Sequence, residues 1–257
     1  MDGRNAGNAD AHGIREHFPH SWGSNCRSKC RHACNLLTMS DADHRLPFGC
    51  AEPIPALDQA IHVWSLRARD ARGVRTVARE ALERLLLHYA GDAPFTIESG
   101  SHGKPFVSAL PWLEFNVSHA GTHAVLAFAR DQPLGVDIEP GERTVSVAGV
   151  SERFFAAHES AALARVEPAR RLGAFLQLWT RKEAVLKALG AGLGFGLDRV
   201  EFELAADGEA GPMRAIAAEA GRPDEWQVVR FSPAMGVLGS LAWRGPPRAV
   251  QLFHLSR

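Results

Sequence analysis

Residues 179–187 are Trp179-Thr180-Arg181-Lys182-Glu183-Ala184-Val185-Leu186-Lys187. The apolar residues in and before this stretch have the spacing of one helical face; they are Leu172, Phe175, Leu176, Trp179 and Leu186. Glu183 falls on the same face. Because a carboxylate beside the core is costly to desolvate, we expect a cation or hydrogen-bond donors opposite Glu183. A surface ion pair with Lys187, four residues further on, is the alternative.

A predicted hairpin lies upstream of this helix. Residues 124–129 are all apolar and predict a strand, and Asp131-Gln132-Pro133 predicts a turn. Residues 134–139 then predict the returning strand of the hairpin.

Two carboxylates share one face of that second strand. Side chains alternate along a strand, so Asp137 and Glu139 point to one side while Val136 and Ile138 point to the other. Neighbouring carboxylates repel each other unless a cation bridges them. Oxygen ligands of this kind suit Mg²⁺, although a solvated polar face remains the alternative.

Two polar turns offer groups for an anion. Residues 115–119 predict a short strand that ends in Ser118 and His119, which are able to donate to phosphate oxygens. A simple serine turn with an exposed histidine explains them equally well. Residues 101–105 predict a loop in which Lys104 either faces an anion or is merely solvated.

The order of these motifs resembles the Sfp-type 4′-phosphopantetheinyl transferases. The motifs are G-K-P at 103–105, F-N-V-S-H at 115–119, G-V-D-I-E at 135–139 and W-T-R-K-E-A-V-L-K at 179–187. The resemblance covers residues 61–243.

The resemblance implies an α+β fold of two similar α/β halves, a pseudo-dimer with the active site in the cleft between them. We expect residues 1–57 to form a leader, residues 58–145 the N-terminal half and residues 146–257 the C-terminal half. The first half would then supply Asp137 and Glu139, and the second half Glu183 and Lys187.

The resemblance also implies an activity, which is transfer of the 4′-phosphopantetheine arm of coenzyme A to a serine of an acyl or peptidyl carrier protein. Mg²⁺ would be held by Asp137, Glu139 and Glu183. Glu183, or a water that it orients, would take the serine proton. Lys187 would contact the phosphate under attack, and 3′,5′-ADP would leave.

The remaining family positions imply contacts to coenzyme A. Ser118, His119 and Lys104 match phosphate and nucleotide contacts, and Lys182 matches a lysine near the nucleotide or in support of it. Basic residues of the first helix imply contacts to the 3′-phosphate; the candidates are Arg75, Arg79 and Arg84. A solvated helix face is the alternative for each arginine.

A carrier-docking surface is expected after the acidic strand. Arg153 would attract the acidic surface around the carrier serine. At least one of Phe154 and Phe155 is expected to pack into the core instead.

Composition limits the remaining functions. The 257 residues carry a formal net charge of zero, which gives no indication of nucleic-acid binding. No stretch predicts a membrane span or a secretory signal, so we expect a cytoplasmic location. We also expect the protein to be a monomer.

The leader contains every cysteine of the chain, and these are Cys26, Cys30, Cys34 and Cys50. A zinc site with His32 is one alternative, but the spacing is not C-x-x-C. A polar leader with little to bury is the other alternative.

Two other functions fit the acidic motifs. One is a Mg²⁺-dependent pyrophosphate hydrolase that uses water as the nucleophile. The other is a non-catalytic module that binds a carrier protein or a metal.

Overall fold

The computed structural model of the chain describes residues 56–255. The leader cysteines and the zinc alternative lie outside these residues. The helices are α1 Val74–Ala90, α2 Val147–Phe154, α3 Ala157–Arg165 and α4 Pro168–Leu189. The strands are β1 Ile61–Arg67, β2 Glu98–Ser99, β3 Pro105–Phe106, β4 Leu113–Ala120, β5 His123–Arg130, β6 Leu134–Pro140, β7 Val200–Leu204, β8 Ala210–Ile216, β9 Trp226–Ala234, β10 Val237–Arg244 and β11 Val250–His254. No helix within 56–255 is long and apolar enough to cross a membrane.

Two main sheets form the framework, and this confirms the predicted mixture of helices and strands. The first sheet has the order β11-β1-β5-β4 and the second has the order β6-β10-β9. The same topology occurs in both, because β1-β5-β4 and β6-β10-β9 are each antiparallel and each joins the first strand to the last. β11 extends the first sheet by pairing in parallel with β1. β2 and β3 form one small ribbon, and β7 and β8 form another.

The predicted hairpin between β5 and β6 is wrong. β6 crosses to the second sheet and pairs along its whole length with β10, so that Asp137 lies opposite Ser240. Alternation along β6 correctly predicts which side chains share a face, but it carries no information about the partner strand. The connection begins at Asp131, whose φ is 51°, and continues through Pro133, which has no N–H to donate to a ladder.

An apolar layer lies between the two sheets. The first sheet contributes Ile61 and Val63, and the second contributes Val136, Ile138 and Leu241. These side chains are almost fully buried. The prediction that Val136 and Ile138 share the face opposite to Asp137 is therefore confirmed. On its other face the first sheet packs against α1, with Leu85 and Leu86 in one core with Phe115 and Phe128.

α4 packs on β6 at a very short distance, and the contact depends on Gly135. A β-carbon at Gly135 would lie 2.1 Å from the Ala184 carbonyl oxygen and 2.3 Å from the Ala188 amide nitrogen. Only glycine permits this approach of strand backbone to helix backbone. The remainder of α4 is anchored in a core that contains Phe175 and Leu186, as the apolar stripe predicts.

Other segments differ from their sequence predictions. The sequence of residues 150–166, which ends just before Pro168, predicts a single helix. The chain is instead extended at Phe155 and Ala156 and forms α2 and α3. The sequence also predicts strands at 197–204, 225–231 and 237–243. The first of these is limited to Val200–Leu204 in the structure, and the sequence does not predict β8 and β11. β9 and β10 match the predicted strands at 225–231 and 237–243 within a few residues.

Candidate active site

Asp137 is the most constrained carboxylate of the site. It is 6% exposed, and its Oδ1 accepts from Ser118 Oγ at 2.9 Å and from Lys187 Nζ at 2.7 Å. Its Oδ2 is buried and has no hydrogen-bond partner. A buried carboxylate oxygen without a donor is costly, so this atom is available for a ligand or a cation.

Glu139 lies on the same face of β6 and is paired with Arg143. Burial raises the pKa of Glu139, and the negative charge of Asp137 adds to this effect while Arg143 opposes it. The Arg143 guanidinium also lies 5.5 Å from the ring centre of Trp179 on α4. Sequence reasoning missed Arg143; its position four residues after Glu139 was the available signal.

Glu183 on α4 lies near the carboxylates of Asp137 and Glu139. Burial, together with the charge of Asp137, raises its pKa to about 7 against the opposing charge of Lys187. The charge of Glu139 acts in the same direction as that of Asp137. Asp137 is therefore near enough to Glu139 and to Glu183 for its charge to raise the pKa of both.

A divalent cation suits this set of oxygen donors, because it would relieve the repulsion and satisfy Asp137 Oδ2. Within residues 56–255, however, no three histidine, cysteine or acidic side chains are already gathered at metal-binding distances.

Lys187 joins α4 to the strands β6 and β4. Its ammonium donates to Asp137 Oδ1 and, at 3.2 Å, to Ser118 Oγ. The simple helix-surface pair with Glu183 is therefore not its main contact, although the two charges still influence each other.

A basic cavity of about 400 Å³ lies at the start of α1. Its lining includes Arg72, Arg75 and His119, together with Gly121 of the turn between β4 and β5. Two guanidinium groups and an imidazole around one cavity favour an anion such as phosphate. Arg72 is a further residue that sequence reasoning missed, although it belongs to the basic stretch that contains Arg75.

The other two arginine candidates do not line this cavity. Arg79 lies 3.7 Å from Glu83, one turn away on α1. Arg84 is exposed on the same helix. The structure brings only Arg75 of the three together with His119.

Lys104 reaches the start of β6. Its ammonium donates to the Leu134 carbonyl at 3.2 Å and lies 3.9 Å from Glu114. Burial lowers its pKa, while Glu114 opposes that shift. The structure thus places this lysine beside the strand that carries Asp137.

The structure does not place Lys182 beside the carboxylates of Asp137, Glu139 and Glu183. Lys182 is fully buried, pairs with Glu159 at 2.7 Å and donates to the carbonyls of Leu197 and Val200. Glu159 also accepts from the backbone of Ala156 and Phe202. A lysine with these contacts supports the packing of α4 and is not accessible to a nucleotide.

The chain is similar in sequence to known 4′-phosphopantetheinyl transferases. A profile described as the 4′-phosphopantetheinyl transferase superfamily matches residues 133–230, which include both acidic motifs. The chain is 34% identical over 175 residues to the 4′-phosphopantetheinyl transferase ffp of Bacillus subtilis, covering 67% of this chain and 74% of that one.

Two further relatives match shorter segments. The chain is 37% identical over 144 residues to the 4′-phosphopantetheinyl transferase psf-1 of Bacillus pumilus, covering 55% of this chain and 60% of that one. It is 35% identical over 108 residues to the 4′-phosphopantetheinyl transferase Sfp of Bacillus subtilis (strain 168), covering 42% and 47%. The chain therefore spans less than two thirds of the length of these two relatives.

Proposed function

The chain belongs to the Sfp-type 4′-phosphopantetheinyl transferases, and we propose that it transfers the 4′-phosphopantetheine arm of coenzyme A to a serine of an apo acyl or peptidyl carrier protein. The serine oxygen forms a bond to the phosphorus that carries the pantetheine arm. The bond from that phosphorus to the bridging oxygen breaks, and its electron pair leaves with 3′,5′-ADP. The serine proton passes to a base in the site.

The observation that carries this proposal is the buried carboxylate of Asp137, whose Oδ2 has no partner although Glu139 and Glu183 lie close by. We propose that these three side chains hold Mg²⁺. When bound, Mg²⁺ would neutralise charge on the pyrophosphate oxygens.

The proposed roles of the protein side chains combine their surroundings with the family positions that they match. Glu183, on α4 beside Asp137 and Glu139, is proposed to accept the serine proton directly or through a water that it orients. Lys187 supplies a positive charge beside the phosphate under attack. Arg72, Arg75 and His119 bind phosphates of coenzyme A in the basic cavity. Lys104 keeps the role near the nucleotide that the family resemblance implies.

We further propose that the fold contains two similar halves with the site between them. The repeated strand orders β1-β5-β4 and β6-β10-β9 support this division. Since β6 pairs with β10, a division by sheets would begin the second half at Leu134 rather than at residue 146.

Docking of the carrier is proposed at the end of α2. Phe155 is buried in the core, whereas Phe154 is 43% exposed and has the Arg153 guanidinium 5.1 Å from its ring centre. An exposed aromatic ring beside a cation suits an acidic partner with an apolar helix face.

The test is transfer to apo acyl and peptidyl carriers with coenzyme A and Mg²⁺, followed by mass spectrometry of the carrier. We expect a serine adduct with wild type and a rate at least about 100-fold lower with Glu183→Gln, which removes the base. Glu167→Gln, an exposed carboxylate at the start of the same helix, should keep the wild-type rate.

Three other outcomes would contradict this proposal. Release of 3′,5′-ADP without an adduct would indicate a pyrophosphate hydrolase. Carrier binding without turnover would indicate a non-catalytic module. Full turnover by folded Glu183→Gln would remove Glu183 from the role of base.

A further inference from the structure

Side chains join the two sheets at the point where β4 runs beside β6. These strands belong to different sheets, and no ladder between them is present among residues 56–255. Two β4 side chains instead accept hydrogen bonds from backbone N–H groups of β6. Val136 N donates to Asn116 Oδ1 at 2.9 Å, and Ile138 N donates to Ser118 Oγ at 3.3 Å.

The spacing of these bonds fixes how the strands are aligned. Asn116 and Ser118 are two residues apart and lie on one side of β4, as Val136 and Ile138 do on β6. Asn116 is 4% exposed, so its oxygen is in a position that water scarcely reaches. Asp137 lies between the two anchored residues and is held there by its neighbours on both sides.

The hydroxyl of Ser118 is fully engaged within the protein. A serine hydroxyl donates one hydrogen bond and accepts two. Ser118 Oγ donates to Asp137 Oδ1 and accepts from Ile138 N and Lys187 Nζ. Donation to a phosphate would require the bond to Asp137 to break, and this disagrees with the phosphate contact that the sequence suggests for Ser118.

We propose that Asn116 and Ser118 are positioning residues for the metal-binding carboxylate Asp137, an inference that rests on the proposed function. Their bonds fix the backbone on both sides of Asp137, and the Ser118 hydroxyl fixes the rotation of the carboxyl group. Because Oδ1 is held in this way, Oδ2 is the atom left for a cation. Ser118 contributes to coenzyme A binding only through the metal.

The test separates metal affinity from coenzyme A affinity. Mn²⁺ binding is measured by calorimetry without coenzyme A, and coenzyme A binding is measured in the presence of a chelator. For Ser118→Ala we expect Mn²⁺ affinity to fall by about 10-fold or more, the usual loss on removal of a group that orients a metal ligand. Coenzyme A affinity without metal should stay within about 2-fold of wild type, because the hydroxyl is not a phosphate donor.

Ser240→Ala is the matched control. Ser240 is also buried and lies directly opposite Asp137 in the sheet, but its hydroxyl bonds to Thr180 at 2.9 Å. It should retain wild-type Mn²⁺ affinity. Ser118→Thr keeps the hydroxyl and should recover most of the affinity that Ser118→Ala loses.

Asn116→Ala tests the other anchor and should weaken Mn²⁺ binding in the same direction. If this variant does not fold, Ser118→Ala, which leaves the Asn116 bond intact, still decides the proposal. Weaker coenzyme A binding without metal, with unchanged Mn²⁺ affinity, would make Ser118 a phosphate contact and overturn it.

The two proposals fail in different ways. A wild-type protein that modifies no carrier, while Ser118→Ala still loses Mn²⁺ affinity, contradicts the transferase activity and supports the positioning role. If the wild-type protein modifies the carrier and Ser118→Ala binds Mn²⁺ normally, the transferase activity is supported and the positioning role is contradicted.

Discussion

Lys182 and Lys187 are two lysines of one helix with opposite surroundings. Five residues turn an α-helix by about 140° beyond one full turn, so the two side chains leave α4 on different sides. Lys182 is buried with Glu159 in the core, whereas Lys187 is partly exposed and contacts Asp137. The same residue type thus supports the helix at one position and serves the site at the other.

Substitution of each lysine by methionine should separate these two tasks. Lys182→Met leaves the Glu159 carboxylate buried without its cation, and we expect a loss of about 3–5 kcal/mol in the free energy of unfolding. Lys187→Met should cost less, about 1–3 kcal/mol, because the Lys187 ammonium is partly exposed although its partner Asp137 is buried, yet it should abolish transfer. Urea unfolding and the transfer assay measure the two effects.

A second substitution provides the control for Lys182. Glu159→Gln in the Lys182→Met background removes the unpaired charge and should recover part of the lost stability. Equal unfolding free energies for Lys182→Met and Lys187→Met would contradict the assignment of Lys182 to the core.

At the scale of elements, the site depends on how closely β6 approaches α4. The charge of Asp137 acts on Glu183 across a contact in which Gly135 allows the strand to lie directly on the helix backbone. Steric contact with α4 therefore requires glycine at the first position of the G-V-D-I-E motif. Because no side chain stands there, the carboxylates of the strand and the helix lie close together.

Two glycine-to-alanine substitutions, one in β6 and one in α4, should change the free energy of unfolding in opposite directions. Gly135→Ala places a β-carbon 2.1 Å from the Ala184 carbonyl, so β6 must move away and we expect a loss of about 1–3 kcal/mol or more. Gly173→Ala in α4 meets no atom within 4 Å and should stabilise the protein by up to about 1 kcal/mol through helix propensity. Denaturant unfolding of both variants tests this, and a neutral Gly135→Ala would contradict the close contact.

The sequence predicts elements better than their partners. Periodicity in residues 172–186 predicts α4, and alternation in residues 134–139 predicts the face that carries Asp137, because both signals are local. Pairing of β6 with β10 joins segments about a hundred residues apart, so no local pattern indicates it.

The candidate site shows the same limit. Glu183 is predicted because a carboxylate on an apolar helical face needs a partner, and Asp137 because it shares a strand face with Glu139. The metal role of both comes from the family resemblance. Asn116 is not predicted, because an asparagine within a short strand shows no sign that its oxygen replaces a ladder acceptor. The burial of Lys182 likewise depends on Glu159, which lies on another helix.

At the scale of the whole molecule, β1 joins distant parts of the described chain. It pairs with β5 on one side and with β11, near the C-terminal end, on the other. His62 lies on β1 at this junction and is almost fully buried. Its Nδ1 lies 2.8 Å from the hydroxyl of Tyr89 on α1, and its ring meets Phe253 of β11 edge-on at 5.2 Å.

The position of His62 makes global stability sensitive to acid. Burial lowers its pKa from 6.5 to about 4, although the charge of Asp58 opposes the shift. Between these values the unfolded chain binds a proton that the folded protein does not, so the free energy of unfolding decreases as the pH falls from 6.5 towards 4. The contribution of this group approaches about 3 kcal/mol at the lower end.

A substitution that cannot take up this proton isolates the effect. His62→Gln keeps a polar group near Tyr89 and should have a shallower decrease in unfolding free energy between pH 6.5 and 4 than wild type, whatever its stability at neutral pH. His102→Gln, at an exposed loop histidine, should follow the wild-type slope. Parallel curves for wild type and His62→Gln would show that His62 is protonated in the folded state, because only a difference in proton uptake between the two states produces a slope.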